Sequence, residues 1–219
     1  MRESAFPKLT NYAPPKGPLK VLREGAAFLC VEKPSGLLSV PGKDPEHADC
    51  MEARVQDALP EARLVHRLDM DTSGVMIFAR SAEAQRHLGL QFERRVVSKR
   101  YLALVQGAVV LDRGRIDLPL TTDWPNRPLQ MVCYDTGRRA ITRFVTLRRD
   151  EQSCLALYPR TGRSHQLRVH MKELGHPILG DRFYGQAETA ERLMLHAERL
   201  RFRDPNGGAW ITVISHPDF

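Results

Sequence analysis

A polar turn joins an apolar run at residues 65–80, VHRLDMDTSGVMIFAR. The polar part is composed of residue types that form tight turns, namely Asp69, Asp71, Thr72, Ser73 and Gly74. The run at 75–79 is short and wholly apolar, which predicts a strand buried on both faces. A turn anchored to a buried strand holds its side chains in fixed positions, as a reactive group requires.

Composition leaves more than one interpretation of this turn open. Its aspartates could cap their own backbone in an ordinary surface turn. The spacing of Asp69, Asp71 and Ser73 matches the first half of an EF-hand calcium loop. That loop requires a glutamate at its twelfth position, where this chain has Arg80, so the calcium interpretation fails. The third interpretation is a catalytic turn built around Asp69.

The string HRLDMDTSG at residues 66–74 resembles the signature of the RluA family of RNA pseudouridine synthases. Four other segments resemble the family's remaining motifs and occur in the family's order: KPSGLLSVPG at 33–42, KRYLA at 99–103, TGRSHQLRVH at 161–170 and HPILGD at 176–181. The resemblance implies an isomerase that breaks the N-glycosidic bond of a uridine, turns the base and rejoins it through carbon. This reaction needs neither a redox change nor an energy input, so we expect no cofactor.

The resemblance also implies the catalytic residues. Asp69 corresponds to the family's catalytic aspartate, and attack on the sugar and removal of a proton are both open as its role. Arg168 corresponds to the arginine that pairs with this aspartate and would counter the rise in carboxyl pKa that burial causes. Arg163 is a second choice for that partner. Tyr101 corresponds to the active-site tyrosine, whose ring could stack on the displaced uracil.

Further residues are candidates for RNA contacts. His66 and Arg67 directly precede the aspartate and could fill the space left when the target base flips out of its stack. Residues 116–138 contain three prolines and many polar residues, which predicts an irregular loop. The resemblance implies that this loop grips RNA, with Trp124 and Arg127 available to stack and pair.

The balance of charge also points to a nucleic-acid partner. The 219 residues include 33 Lys and Arg against 26 Asp and Glu, for a formal net charge of +7. Seven of the basic residues are lysines and 26 are arginines, and arginine is the better residue for bidentate phosphate contacts. One cluster of basic residues lies just before the expected strand at Tyr101 and is predicted to bind phosphates: Arg94, Arg95, Lys99 and Arg100.

The sequence does not indicate a metal site, a disulfide framework or a membrane segment. The four cysteines are widely spaced, at 30, 50, 133 and 154, with no C-x-x-C pair. His165 and His170 are five residues apart, so they point in different directions on a helix or a strand, unlike a metal-binding pair. No apolar stretch is long enough for a signal peptide or a membrane span. We therefore expect a cytoplasmic protein.

Short strands joined by turns, with helices between them, predict an α+β fold with a mixed, mostly antiparallel sheet flanked by helices and loops. Helices are expected to begin after Asp49, Ser81 and Ser164. The proline-rich residues 1–20 are expected to form an extended arm. Residues 21–219 then form a single catalytic domain, with no room for a separate N-terminal RNA-binding domain. We expect this domain to act as a monomer.

The resemblance implies an RNA pseudouridine synthase, with uridines in looped regions of large-subunit ribosomal RNA and of certain tRNA anticodon arms as the expected substrates. An alternative of a different class is a basic RNA-binding or ribosome-assembly protein without chemistry, in which Asp69 would have no use. A hydrolase that uses Asp69 and Asp71 is a third possibility. It is disfavoured because glycoside hydrolases normally place their carboxylates across the substrate from one another.

Overall fold

A computed structural model describes residues 12–219. These residues form two compact units. The first, here called the Asp69 unit, contains Ala13–Tyr101 and Leu195–Phe219. The second, here called the Arg168 unit, contains Leu102–Met194. Most of the expected arm at 1–20 lies outside the described residues, and the assignment of 21–219 as one catalytic domain stays a prediction.

The Asp69 unit is built on one sheet and two helices. Its elements are β1 (Lys20–Glu24), β2 (Phe28–Lys33), α1 (Met51–Ala58), β3 (Arg63–Leu64), β4 (Ser73–Ala79), α2 (Ala82–Glu93), β11 (Leu195–Arg203) and β12 (Trp210–Ile214). The sheet order is β1–β2–β4–β11, with β3 also paired to β4 and β12 also paired to β11. Strands β4 and β11 are parallel, whereas the other pairs named here are antiparallel. The mixed sheet predicted from the sequence is therefore confirmed.

Strand β4 is the centre of this unit, and all seven of its residues are buried. Its side chains alternate between two apolar clusters, as the two-residue period of a strand requires. Ile77 shares a cluster with Leu88 of α2, whereas Phe78 shares the opposite cluster with Val55 of α1. The prediction of a strand buried on both faces is confirmed, and the turn before β4 has a rigid support.

The Arg168 unit contains a second group of strands and one helix. Strand β5 (Ser98–Gln106) leads into it from the Asp69 unit, and its other elements are β6 (Arg113–Asp117), β7 (Leu120–Thr122), β8 (Gln130–Val132), β9 (Ile141–Arg149), β10 (Gln152–Pro159) and α3 (Gln166–Glu173). Strands β10, β9 and β6 are antiparallel neighbours. Strands β7 and β8 pair separately. The segment 116–138 was expected to be irregular, but it contains one small hairpin. Its two strands, β7 and β8, lie on either side of a 3-10 turn at Trp124–Asn126.

The three helices lie where they were expected, but two of their caps differ from the prediction. Ser81 caps α2 as predicted, because its side chain accepts a hydrogen bond from the Ala84 amide. Helix α1 is capped by the Cys50 sulfur, since the Asp49 carboxylate forms an ion pair with Arg54 instead. Helix α3 is preceded by His165 in the left-handed region, with φ of 52°, rather than capped by Ser164.

Candidate active site

The turn that carries Asp69 is held by the segment that follows β2. Lys33, at the end of β2, is fully buried, and its Nζ donates to the carbonyl oxygens of Pro34 at 2.9 Å, Leu37 at 2.7 Å and Met70 at 2.7 Å. The three hydrogens of an ammonium group thus match three acceptors. Because Met70 directly follows Asp69, this lysine fixes the backbone next to the candidate catalytic carboxylate.

Two serines of the same segment hold the turn on either side of Asp69. The Ser39 hydroxyl donates to the Leu68 carbonyl at 2.6 Å and accepts from the Leu68 amide at 3.0 Å. The Ser35 hydroxyl donates to the Asp71 carbonyl at 2.6 Å. The Asp69 carbonyl itself accepts from the Thr72 amide at 3.1 Å, which closes the turn. The backbone is therefore fixed before and after the aspartate, as a preorganised site requires.

Lys33 is the first residue of the motif at 33–42, and its contact with the turn depends on tertiary structure that the motif does not indicate. Burial lowers the pKa of its ammonium group to about 7, and the negative charges of Asp71 and Asp69 act in the opposite direction. The lysine thus interacts electrostatically with the turn in addition to donating three hydrogen bonds.

Tyr101 lies in the same unit as Asp69, on strand β5. Its ring packs against the apolar cluster that contains Leu68 and Met76. Burial raises the pKa of its hydroxyl, and the negative charge of Asp69 raises it further. The Tyr101 hydroxyl therefore keeps its proton and can donate a hydrogen bond. The tyrosine also lies close enough to Asp69 for the negative charge of the carboxylate to affect its pKa.

His66 and Arg67 differ in their surroundings although they are neighbours in the chain. The His66 Nε2 accepts a hydrogen bond from the Ile77 amide at 3.2 Å, and its ring stacks on Phe92 with the centroids 4.8 Å apart. Burial and the nearby charge of Lys99 lower the pKa of His66, so its ring is neutral. Arg67 is exposed. A role for these two side chains in the flipping of a base stays a prediction.

The four residues of the predicted phosphate-binding cluster divide into two pairs. Arg94 and Arg95 follow helix α2 and are exposed, as phosphate ligands must be. Lys99 and Arg100 are only partly exposed. Burial lowers the pKa of Lys99 to about 8, and the Arg100 Nε lies 3.2 Å from the Glu198 carboxylate. The exposed pair is thus the better placed to bind phosphates.

Arg168 forms a buried bidentate ion pair in the Arg168 unit. Its Nε and Nη2 donate to the Asp181 carboxylate at 2.9 and 2.7 Å, and both side chains are buried. Asp181 also accepts from the backbone amides of Phe183 at 2.9 Å and Tyr184 at 3.1 Å. Asp181 is the last residue of the motif at 176–181, and no local pattern in the sequence marks it as a partner of Arg168. It fixes the orientation of the arginine, whose predicted pairing with Asp69 stays a prediction.

Arg163 and the two nearby histidines also lie in the Arg168 unit. Arg163 is half-buried, and its Nε donates to the Arg139 carbonyl at 3.4 Å. His165 hydrogen-bonds the Tyr184 hydroxyl at 2.6 Å. His170 hydrogen-bonds the Thr142 hydroxyl at 2.9 Å and the Leu118 carbonyl at 3.2 Å. Among residues 12–219, no three His, Cys, Asp or Glu side chains are grouped as metal ligands.

Trp124 and Arg127 lie together at the tip of the segment 116–138. The Trp124 side chain is 66% exposed, and the Arg127 guanidinium carbon lies 3.5 Å from the centre of its ring. This contact is a cation–π pair on the surface. A solvent-exposed aromatic ring backed by arginine is a suitable platform for an unpaired base.

The candidate residues thus divide between the two units. Asp69, Tyr101, His66, Arg67 and the basic residues after α2 belong to one unit, whereas Arg163, Arg168, Trp124 and Arg127 belong to the other. None of the helices in the described part of the chain is long and apolar enough to cross a membrane.

Residues 27–173 match the family model described as RNA pseudouridylate synthase. The chain is 49% identical over 219 residues to the dual-specificity RNA pseudouridine synthase RluA of Vibrio vulnificus, with 95% of this chain and 87% of that protein covered. It is also 49% identical over 217 residues to the protein of the same name in Escherichia coli K12, with 96% and 99% covered.

Solved structures with the same fold include two human proteins. Human RNA pseudouridylate synthase domain containing 1 is 28% identical and superposes with a TM-score of 0.77, over 94% of this chain and 87% of that chain. Human RNA pseudouridylate synthase domain containing 4, at 22% identity, shares the fold with a TM-score of 0.74, over 91% and 89%. These similarities favour an enzyme over a non-catalytic RNA-binding protein. The chain belongs to the RluA family of RNA pseudouridine synthases, which are isomerases.

Proposed function

We propose that this enzyme converts specific uridines to pseudouridine in looped regions of large-subunit ribosomal RNA and in tRNA anticodon arms. Relatives that are 49% identical over nearly the whole chain are described as dual-specificity RNA pseudouridine synthases, which supports two classes of RNA substrate. The enzyme acts in the cytoplasm as a monomer. The product is an isomer of the substrate, in which the hydrogen lost from C5 is balanced by one gained at N1, so the reaction runs without a cofactor.

Asp69 is the carboxylate that acts on the target nucleotide. The observation that carries this assignment is the fixation of its backbone from both sides, by Ser39 at Leu68 and by Lys33 at Met70. A rigid turn lowers the entropy lost when the carboxylate meets the sugar and base. An ordinary surface turn needs no buried lysine beneath it, so this arrangement supports a site that is built to position a reactive group.

Two further residues assist the carboxylate. Tyr101 senses the charge of Asp69 and keeps its proton, so it can stack on the uracil and donate a hydrogen bond while the base turns. Arg168 is the charge partner that keeps Asp69 ionised as water leaves the site. Its guanidinium is already oriented by Asp181, which supports a fixed rather than a mobile partner. Arg163 is the second choice for this role.

The remaining candidates hold the RNA. Arg94 and Arg95 are exposed and bind phosphates, with Lys99 and Arg100 contributing to the same electrostatic field. Trp124 and Arg127 grip exposed bases of the target loop. His66 and Arg67 line the space that the flipped base leaves.

Mapping of pseudouridine in total RNA tests the substrate proposal. RNA from cells with the gene should contain pseudouridine at sites in large-subunit ribosomal RNA and in tRNA anticodon arms that are unmodified uridines in cells without it. A plasmid copy of the wild-type gene should restore these pseudouridines. Loss of sites in only one RNA class would reject dual specificity. An unchanged map in both classes would reject these RNAs as the substrates.

A further inference from the structure

A line of buried polar side chains runs from the Asp69 turn to the C-terminal segment. Ser73, the first residue of β4, hydrogen-bonds the Nδ1 of His196 on β11 at 2.8 Å. The Nε2 of His196 lies 3.0 Å from both the carbonyl oxygen and the hydroxyl of Ser215. The Ser215 hydroxyl donates to the Glu32 carboxylate on β2. Ser73, His196 and Ser215 are all buried.

The acceptors in this line determine its direction. A carbonyl oxygen can only accept, so the His196 Nε2 carries the hydrogen that it donates to Ser215. In the tautomer that carries its single hydrogen on Nε2, the Nδ1 accepts and the Ser73 hydroxyl donates to it. Glu32 accepts at the far end, from the Ser215 hydroxyl. With this tautomer every donor in the line points away from the Asp69 turn.

The backbone next to this hydrogen bond is packed without room for adjustment. Ser73 and Gly74 pair in parallel with His196 and Ala197. A side chain at Gly74 would lie 2.3 Å from the Ala197 carbonyl oxygen, and Gly74 has φ of +116°, a value that favours glycine. The first residues of β4 thus lie in direct contact with the backbone of β11. The Ser73–His196 hydrogen bond fixes its register at the residue where the Asp69 turn ends.

We propose that His196 is a positioning residue for the reaction. Through Ser73 it holds the end of the turn in the position that places the Asp69 carboxylate against the target nucleotide. Lys33 and Ser39 hold the other parts of the turn, and His196 supplies the support on the β11 side. This role rests on the proposed function of Asp69, and it adds a residue that does not itself touch the reacting atoms.

Two substitutions of His196 separate its two hydrogen bonds. In His196→Asn the side-chain oxygen lies near the position of Nδ1 and can still accept from Ser73. In His196→Gln the longer amide reaches the position of Nε2 and can still donate to Ser215, but the bond to Ser73 is lost. We expect His196→Gln to lower the single-turnover rate about 10- to 100-fold, the order of loss seen when a reacting group is slightly misplaced. His196→Asn should restore most of the rate.

The rates are measured as release of tritium from RNA labelled at uridine C5, at saturating enzyme, with the RNA dissociation constant determined in parallel. Ser73→Ala should give the same loss as His196→Gln, and the double variant should lose no more than either alone, because both remove one hydrogen bond. RNA affinity should be unchanged in all of them. A matched control is Gln91→Met, which removes a buried polar contact to the other end of β11, at Arg203. It should lower stability but not the rate.

Three results would overturn the proposal: a wild-type rate in folded His196→Gln, equal losses in the Asn and Gln variants, or additive losses in the double variant. Asp69→Asn measured alongside keeps the two proposals separate. Activity in Asp69→Asn would reject the proposed role of Asp69. Inactive Asp69→Asn together with a fully active His196→Gln would reject only the role of His196.

Discussion

The buried ammonium group of Lys33 should give the stability of this protein a specific dependence on pH. Its pKa is about 7 in the folded protein and 10.5 in the unfolded chain, because burial disfavours the charged form. Between these two values the unfolded chain binds more protons than the folded protein. The free energy of unfolding therefore rises as the pH increases through this window. Below about pH 7 the lysine is charged in both states, and this gain in stability is absent.

The size of the effect follows from the pKa difference. Each pH unit within the window adds about 1.4 kcal/mol to the free energy of unfolding. Between pH 7.5 and 9.5 the wild-type protein should thus gain about 3 kcal/mol relative to Lys33→Met, which cannot titrate at this position. The other groups with shifted pKa values are present in both proteins, so their contributions cancel in the difference.

Urea denaturation followed by circular dichroism at pH 7.5, 8.5 and 9.5 measures this difference. Lys20→Met is the matched control, because it removes the same charge from a side chain that lies on the surface in an ion pair with Glu32. A difference for Lys33→Met that stays constant across the pH range, or that changes no more than the one for Lys20→Met, would contradict the reasoning. The ammonium group would then not be desolvated beneath the Asp69 turn.

Further predictions concern the charge partner and the RNA contacts. Arg168→Met should move the acidic limb of the single-turnover rate profile to higher pH, and an unchanged profile with full activity would indicate another partner, such as Arg163. Neutralising Arg94 and Arg95 should weaken binding of all RNAs alike and flatten the dependence of log Kd on log salt, by roughly 0.7 to 0.9 per lost contact. Trp124→Ala should keep that slope but lose about 1–3 kcal/mol of affinity for a folded target loop. A lower Tm with unchanged affinity would make its role structural.

The parts of the fold that depend on local sequence could be predicted. The run at 75–79 gave a strand buried on both faces because every residue in it is apolar, and Ser81 capped α2 through its own hydroxyl. The caps of the other two helices could not be predicted. The Asp49 carboxylate forms an ion pair with Arg54 instead of capping α1. No pattern in the sequence predicts the left-handed backbone of His165.

The candidate site shows the same division. Asp69 and Tyr101 could be proposed as catalytic residues from motifs, because a motif is a local pattern of residue types at a given spacing. The supports could not, because they join segments far apart in the chain. The Lys33 ammonium reaches the Met70 carbonyl, and His196 reaches Ser73 across the parallel strand pair. Such contacts depend on tertiary packing, which no local pattern records.

Conversion of a target RNA by Asp69→Asn tests the catalytic assignment most directly. The substitution keeps the shape of the side chain and removes its charge. We expect RNA to bind with wild-type affinity and no pseudouridine to form, whereas Asp71→Asn should retain most of the activity. Substantial conversion by Asp69→Asn, in a preparation free of wild-type enzyme, or equal losses in the two variants, would contradict the assignment of Asp69 as the catalytic carboxylate.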